Sequence, residues 1–462
     1  MERVLASALP RGACKARDGH SWGFETLGML DFREVRVQDL FEFEEAQDRE
    51  AETRAIGGIL LDRSGYKAGL LDSETLIAPD NRVMLIIHRI FPSDLMEGEL
   101  KAEDYEEIKR LFQGKDLKDL EGIIDRIVAP EIKGRGKAKL AAALTALSPR
   151  WFRISQYGAI PGCLRCLFFG DPRTGKGAIL RWFSKKGIAG HAVGETAART
   201  GLIYSIDPEL RILSWGILPL NDGRMVVLEG LHGLSAEEME RFREVLAQQR
   251  VEVHRVVRGA AWCRTRLLAD VNPNQPSLAS NYPCVCLALL DCKPFYRPTD
   301  LTRWDLFIPF KREDVSPNEM YGDEGLPSSS SVKQEEKAYL SLVEWAWSRG
   351  TEDIRVDEGA LKEAKLQFEA LLNEFGSEAL PIVHNASFWT ILRLSIAVAA
   401  LEFSSQDNRN LLVEAKHVKE ASAFFKESLE ALELREAKAI YEEEPLSKEE
   451  AERLKEGLSN QG

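Results

Sequence analysis

Apolar and polar positions alternate in short runs over the first hundred residues. FREVRVQDL (32–40) alternates apolar and polar residues, and DNRVMLIIHRIF (80–91) is a second β-rich run behind a Pro-Asp-Asn turn, so both read as strands. Between them FEFEEAQDREAETRA (41–55) is an acidic stretch read as a solvated loop or face. Residues 99–125 are helical in pattern and heavily charged, a linker between two domains.

From about residue 126 the pattern changes to strands and helices in alternation. CLRCLFFG (163–170) is an apolar strand, a glycine loop follows, and AILRWFSKK (178–186) is a helix. GRMVVLEG (223–230) is a second buried strand and RLLADVNP (266–273) a third. SAEEMERFREVLAQQ (235–249) starts with a capping box, Ser235 with Glu238, and repeats Met239, Phe242 and Leu246 at helical spacing. Strand–loop–helix units in series predict a parallel sheet with helices on both faces. A Ser-, Pro- and Gly-rich linker (314–334) leads to a helical region (335–435), which contains the amphipathic SFWTILRLSIAVAAL, and a charged tail (436–462) ends the chain.

Composition narrows the classes. The 462 residues, 44% of them apolar and 29% charged, suit a folded soluble protein of two to four domains. The longest apolar run, IAVAAL (396–401), is too short to span a bilayer, and the first twenty residues lack the apolar core of a secretory signal, so an intracellular protein is expected. Seven cysteines, an odd number, argue against a disulfide framework. Cys163 with Cys166, and Cys284, Cys286 and Cys292, read as buried thiols rather than metal ligands, since structural zinc requires four ligands at set spacings. A net charge of −13 confines any nucleic-acid-binding face to a local basic patch.

The candidate chemistry lies in GDPRTGKG (170–177). The phosphate-loop pattern G-x-x-x-x-G-K-[ST] is met at Gly170, Gly175 and Lys176, but Gly177 stands where a hydroxyl belongs. In one reading Gly170, Asp171, Pro172, Arg173, Thr174, Gly175, Lys176 and Gly177 cradle phosphates through backbone N–H groups and the lysine ammonium. In the other they form a tight strand-to-helix turn.

The order of the surrounding blocks favours the first. IVAPEIKGRGKAKLAAAL, the glycine loop, GETAARTGLI, LPLNDGRMVVLEG, EVLAQQRVEV, CRTRLLADVNPN, TRWDLFIPF and LPIVHNASFWTILRLSIA follow one another in a succession that resembles the minichromosome maintenance (MCM) family of replicative helicases, ring-forming AAA+ ATPases. The resemblance covers roughly residues 28–430 and is strongest over 126–310. It implies an α/β AAA+ P-loop core (126–313), preceded by a partial OB-like β-barrel domain (1–98, with a zinc-ribbon remnant at 12–30) and followed by a helical lid.

The family's parts are carried over unevenly. Its magnesium-binding serine or threonine is Gly177 here, and its acidic pair at the strand end is Leu228-Glu229. Both magnesium contacts are lost, so magnesium is doubtful as a cofactor while ATP is kept, and hydrolysis is expected to be impaired because phosphoryl transfer depends on the metal. Glu229 matches the water-orienting glutamate, or is a plain strand-end carboxylate. Asn272 matches the sensor asparagine, or is an Asn-Pro turn former. Arg303 matches the arginine finger that reaches a neighbouring subunit's nucleotide, or is a surface ion-pairing arginine. The lid arginine falls at Ala386, whereas Arg393 is kept.

For DNA the resemblance points to a pore hairpin at 250–266, with Arg255 and Arg258 on phosphates and Trp262 either stacked on a base or buried. The amino-terminal hairpin region (41–53) offers little positive charge beyond Arg49 and Arg54. Of the zinc ribbon only Cys14 and His20 remain, and neither the family's amino-terminal helical subdomain nor a carboxyl-terminal winged helix is evident. The implied partners are DNA and a ring of identical or intact related subunits, at an intracellular, genome-associated location. Two alternatives stay open: an active ATP-driven helicase, and a scaffold that no longer binds nucleotide.

Overall fold

The computed structural model describes the backbone of Leu70–Ile77 and Val83–Phe91, and residues 100–443 except 195–198, 208–211, 255–257, 275–280, 293–297, 316–328 and 379. The zinc-ribbon remnant, the acidic stretch 41–53 and Arg255 therefore lie outside the described residues. Strands β1 (Leu70–Ile77) and β2 (Val83–Phe91) form an antiparallel pair with an irregularity at Asp72/Ser73.

Helices α1 (Ala102–Phe112) and α2 (Leu117–Ile127) bury Ile108, Phe112, Leu120, Ile124 and Ile127 completely or nearly so, which draws the charged segment 99–125 against the main core. Helix α3 (Gly136–Leu147) is buried almost all round, as its alanine-rich sequence permits. Its buried Lys139 is held by the Asp125 carboxylate and main-chain carbonyl, each at 2.8 Å. A short antiparallel pair, β3 (Trp151–Ile154) and β4 (Gly158–Pro161), leads into the central sheet.

That sheet has five strands, all parallel: β5 (Arg165–Gly170), β6 (Ala189–Val193), β9 (Met225–Glu229), β12 (Arg266–Val271) and β13 (Leu306–Phe310), in the spatial order β13-β5-β12-β9-β6. The inner strands β5, β9 and β12 are buried on both faces, as helix-flanked parallel strands must be, and so read as apolar runs; Cys166, Leu167, Phe168 and Phe169 have no exposed surface. Full burial of each phenylalanine contributes about 2–3 kcal/mol before entropy is counted. Two further antiparallel pairs join β7 (Tyr204–Asp207) to β8 (Ile212–Trp215) and β10 (Arg250–His254) to β11 (Arg258–Trp262). This is the predicted α/β architecture.

Helix α4 (Lys176–Lys185) follows β5 and packs on β6 and β9. Helix α5 (Ala236–Gln248) starts at the predicted capping box: the Ser235 hydroxyl accepts from the Glu238 N–H, and the Glu238 carboxylate accepts from the Ser235 N–H. The helical region comprises α6 (Ser329–Trp347), α7 (Glu358–Phe375), α8 (Ser387–Leu401), α9 (Ala415–Ala431) and α10 (Leu434–Glu443), with a parallel pair β14 (Ile354–Val356) and β15 (Leu411–Val413) at its edge. It is fixed to the sheet by Asp305, just before β13. The buried Asp305 carboxylate accepts from the Arg165 N–H (3.0 Å), the Thr390 hydroxyl (2.6 Å) and the Arg393 guanidinium (2.8 Å).

Among the described residues no helix is long and apolar enough to cross a membrane. The six described cysteines are free and buried, and burial raises the thiols of Cys163, Cys166, Cys286 and Cys292.

Candidate functional site

Strand β5 sits between β12 and β13, next to the point where the chain leaves for the far edge at β6. In open parallel sheets the crevice for ligands lies beyond the carboxyl ends of the strands at such a switch point. There the strand runs into the glycine loop. Gly170 has φ +134°, and any Cβ on it would overlap the carbonyl of Phe310 at the end of β13. Gly175 has φ +96°, and its Cβ would lie 2.8 Å from the Ile132 side chain. Both positions need glycine, for backbone conformation and for space.

The loop is pinned to β13. The Asp171 N–H donates to the Phe310 carbonyl (2.9 Å), and its buried carboxylate accepts from the Arg312 N–H (2.8 Å). The Thr174 hydroxyl donates to the Asp171 carbonyl (2.8 Å), while Pro172 and Arg173 are exposed at the loop's tip, Arg173 at φ +61°.

Gly175 caps α4, and among the described residues no side chain accepts from the N–H groups of the helix's first turn. Such a terminus, with its dipole, is an anion-binding geometry. Lys176 is the first residue of the helix and is only 4% exposed. Its ammonium donates to the carbonyls of Gly170 (3.0 Å) and Asp171 (2.6 Å). Burial pulls it down from 10.5 to about 8, against the opposing pull of the Asp270 and Asp171 carboxylates. The result is a cation with two carbonyls for partners, held at the mouth of the loop.

The second wall is the end of β9. Leu228 is 3% exposed and apolar. The Glu229 carboxylate is divided between two groups: one oxygen lies 2.5 Å from Nη1 of Arg181 on α4, the other 2.8 Å from Nε2 of His191 on β6. A Cβ on Gly177 would lie 3.0 Å from the same Glu229 oxygen and 3.1 Å from the same Arg181 nitrogen. The ion pair thus occupies the space a serine or threonine hydroxyl would need. One strand over, Asp270 accepts from the Gly230 N–H at 2.5 Å, and burial raises its carboxyl.

These residues do not fit magnesium. Position 177 has no oxygen, Leu228 is an alkyl group, the Glu229 carboxylate already faces a guanidinium, and the Asp171 and Asp270 carboxylates accept from the Arg312 and Gly230 N–H groups. Among the described residues no group of three or more His, Cys, Asp or Glu is arranged to hold a metal ion. The loop and Lys176 do fit a polyphosphate.

The other predicted residues are partly assembled. Asn272 follows β12 at the carboxyl edge of the sheet, and its buried side-chain oxygen lacks a hydrogen-bond partner among the described residues. Arg303 lies before the opposite end of β13, at least about 13 Å from the loop at strand rise over Leu306–Phe310. It is exposed, and its guanidinium has no ion pair among the described residues. The geometry separates it from its own subunit's loop.

Arg393 is a tether: besides Asp305 it holds the Pro161 carbonyl at 2.9 Å. Arg258 opens β11 on the β10–β11 hairpin, and Arg255 falls in the undescribed hairpin tip. Trp262 is half-buried, with the guanidinium carbons of Arg250 and Arg264 at 5.4 and 4.8 Å from its ring centre.

Sequence reasoning missed Arg181, His191 and Asp270. Asp270 had a visible signal, a charge inside the apolar run RLLADV. Arg181 and His191 had none, because three separate elements bring them to Glu229.

Comparison with known proteins bears on the same segment. Residues 104–285 match the MCM P-loop domain. The chain is similar to DNA replication licensing factor MCM3 of Entamoeba histolytica, 28% identical over 185 residues that cover 38% of this chain and 30% of the relative. It resembles DNA replication licensing factor MCM7 of Oryza sativa subsp. indica at 26% over 196 residues, 41% of this chain and 26% of that protein. With the Minichromosome maintenance protein MCM of Saccharolobus solfataricus it shares 29% over 220 residues, 46% of this chain and 30% of that protein. The match thus spans less than a third of the length of these relatives. Residues 104–285 are thus similar to the MCM P-loop domain, and the phosphate-loop geometry lies within that matched segment.

Proposed function

We propose that the protein is a nucleotide-holding, hydrolysis-impaired subunit of an MCM-like ring that encircles DNA. ATP binds at Gly170–Gly177, its phosphates on the backbone N–H groups and on Lys176. Asn272, at the carboxyl end of β12, reads the terminal phosphate by donating from its side-chain amide N–H. Arg303, remote from its own loop, is presented to the nucleotide of an adjacent subunit, identical or a catalytically intact relative. Arg255 and Arg258 on the β10–β11 hairpin contact DNA phosphates without regard to sequence, which places the protein on the genome inside the cell.

The observation that carries this reading is the Arg181–Glu229 pair standing where a magnesium-binding hydroxyl would project from residue 177. The test is equilibrium ATP binding by the purified protein in magnesium and in EDTA, with phosphate release followed in the same samples with and without single-stranded DNA. Binding in both buffers without turnover is expected. Magnesium-dependent turnover stimulated by DNA would make it an active helicase motor instead. No binding, with assembly and DNA affinity unaltered by Lys176→Ala, would make it a scaffold.

A further inference from the structure

We propose that Arg181 is a built-in replacement for the metal: its guanidinium, not a divalent cation, supplies the counter-charge for a bound nucleoside triphosphate, so that affinity is independent of magnesium. The inference rests on nucleotide binding at the loop, as argued above, and adds the residue that makes it metal-free.

Three observations support it. The guanidinium approaches the first turn of α4, 3.1 Å from where a side chain at residue 177 would begin, in room that the glycine leaves open. It is also available. Its side chain is 48% exposed, Nη1 meets Glu229, and Nε and Nη2 have no partner among the described residues, so several N–H donors face outward. Finally, Glu229 does not hold it exclusively, because His191 takes the other carboxylate oxygen, and Glu229 is itself only 15% exposed. Arginine suits the role, being always charged and forked toward phosphate oxygens. The missing hydroxyl, the missing aspartate and the guanidinium in the gap then form one arrangement: a phosphate site whose cation is covalently attached.

The test is ATP affinity of the full chain, measured by calorimetry in magnesium and in EDTA, for the wild type and four variants. Wild type is expected to bind equally in both buffers. Arg181→Gln should weaken binding in EDTA by about tenfold or more, the loss of one charge-assisted phosphate contact. Arg181→Lys should retain most of the affinity. Glu229→Gln, which releases the guanidinium from its carboxylate, should tighten binding in EDTA. Unchanged EDTA affinity in Arg181→Gln, or wild-type binding that collapses on removing magnesium, would overturn the proposal. Lys176→Ala separates the two readings. If it abolishes binding while Arg181→Gln does nothing, the loop binds nucleotide and only the role of Arg181 fails; if wild type binds no ATP in either buffer, both fail. Arg181 is half exposed, so its substitution leaves the core intact, and far-ultraviolet circular dichroism of each variant verifies the fold.

Discussion

Lys176 gives the sharpest quantitative expectation. In the folded chain burial holds it at about 8, against an ordinary 10.5. At about 1.4 kcal/mol per unit, keeping the proton on the buried ammonium costs the fold about 3 kcal/mol at neutral pH. The sign is opposite to that of an ion-paired lysine. Below pH 8 both folded and unfolded chains carry the proton and the full cost applies. Between 8 and 10.5 the folded chain has released it while the unfolded chain still holds it, so the cost fades and stability rises with pH.

Lys176→Met removes the titration and keeps most of the volume. It also strips the Gly170 and Asp171 carbonyls of a donor. That loss is constant with pH, so it shifts the baseline but not the slope. The assay is urea unfolding of wild type and variant at pH 7 and pH 9.5. Wild type should gain about 2 kcal/mol on the variant across that interval, the other titrations cancelling in the difference. A difference that stays flat would refute the buried, depressed ammonium. Saturating ATP, present at both pH values, should remove most of the slope, because phosphate oxygens favour the charged lysine.

Two further outcomes are expected. Asp305→Ala strips Arg393 and Thr390 of a buried acceptor and should cost about 3–5 kcal/mol in urea unfolding, with the helical region separating first by limited proteolysis. The joint variant Arg255→Ala with Arg258→Ala should weaken single-stranded DNA binding for every sequence tried and lower the slope of log affinity against log salt by about one to two; an unchanged slope would take the hairpin off the DNA.

The sheet and the loop were legible because they depend on local rules. Apolar runs such as RCLFFG must be buried on both faces, and Gly170 and Gly175 mark backbone conformations and contacts that a Cβ would forbid. The capping box at Ser235 was legible for the same reason: its two partners are three residues apart. The surroundings of Glu229 were not. Arg181, His191 and Glu229 come from α4, β6 and β9, and no spacing in the chain marks their convergence. Arg393 read as a retained family position, yet its donors are spent on Asp305 and Pro161, a long-range pairing invisible to periodicity. Asp270 is legible as a charge inside the buried strand RLLADV, two residues before Asn272.

The pinning of the loop to β13 also affects how the protein is made. Gly170 closes against Phe310, and Asp171 is held by the main chain of Phe310 and Arg312, about 140 residues later in the chain. During synthesis at about 5–20 residues per second, the phosphate loop would wait roughly 7–28 s for the strand that shapes it. Until then Gly170 has no Phe310 carbonyl to close against, although Ile132, which meets Gly175, is already made. The shape of the loop is therefore a late product of folding, and a nascent chain that stalls before β13 emerges would lack it.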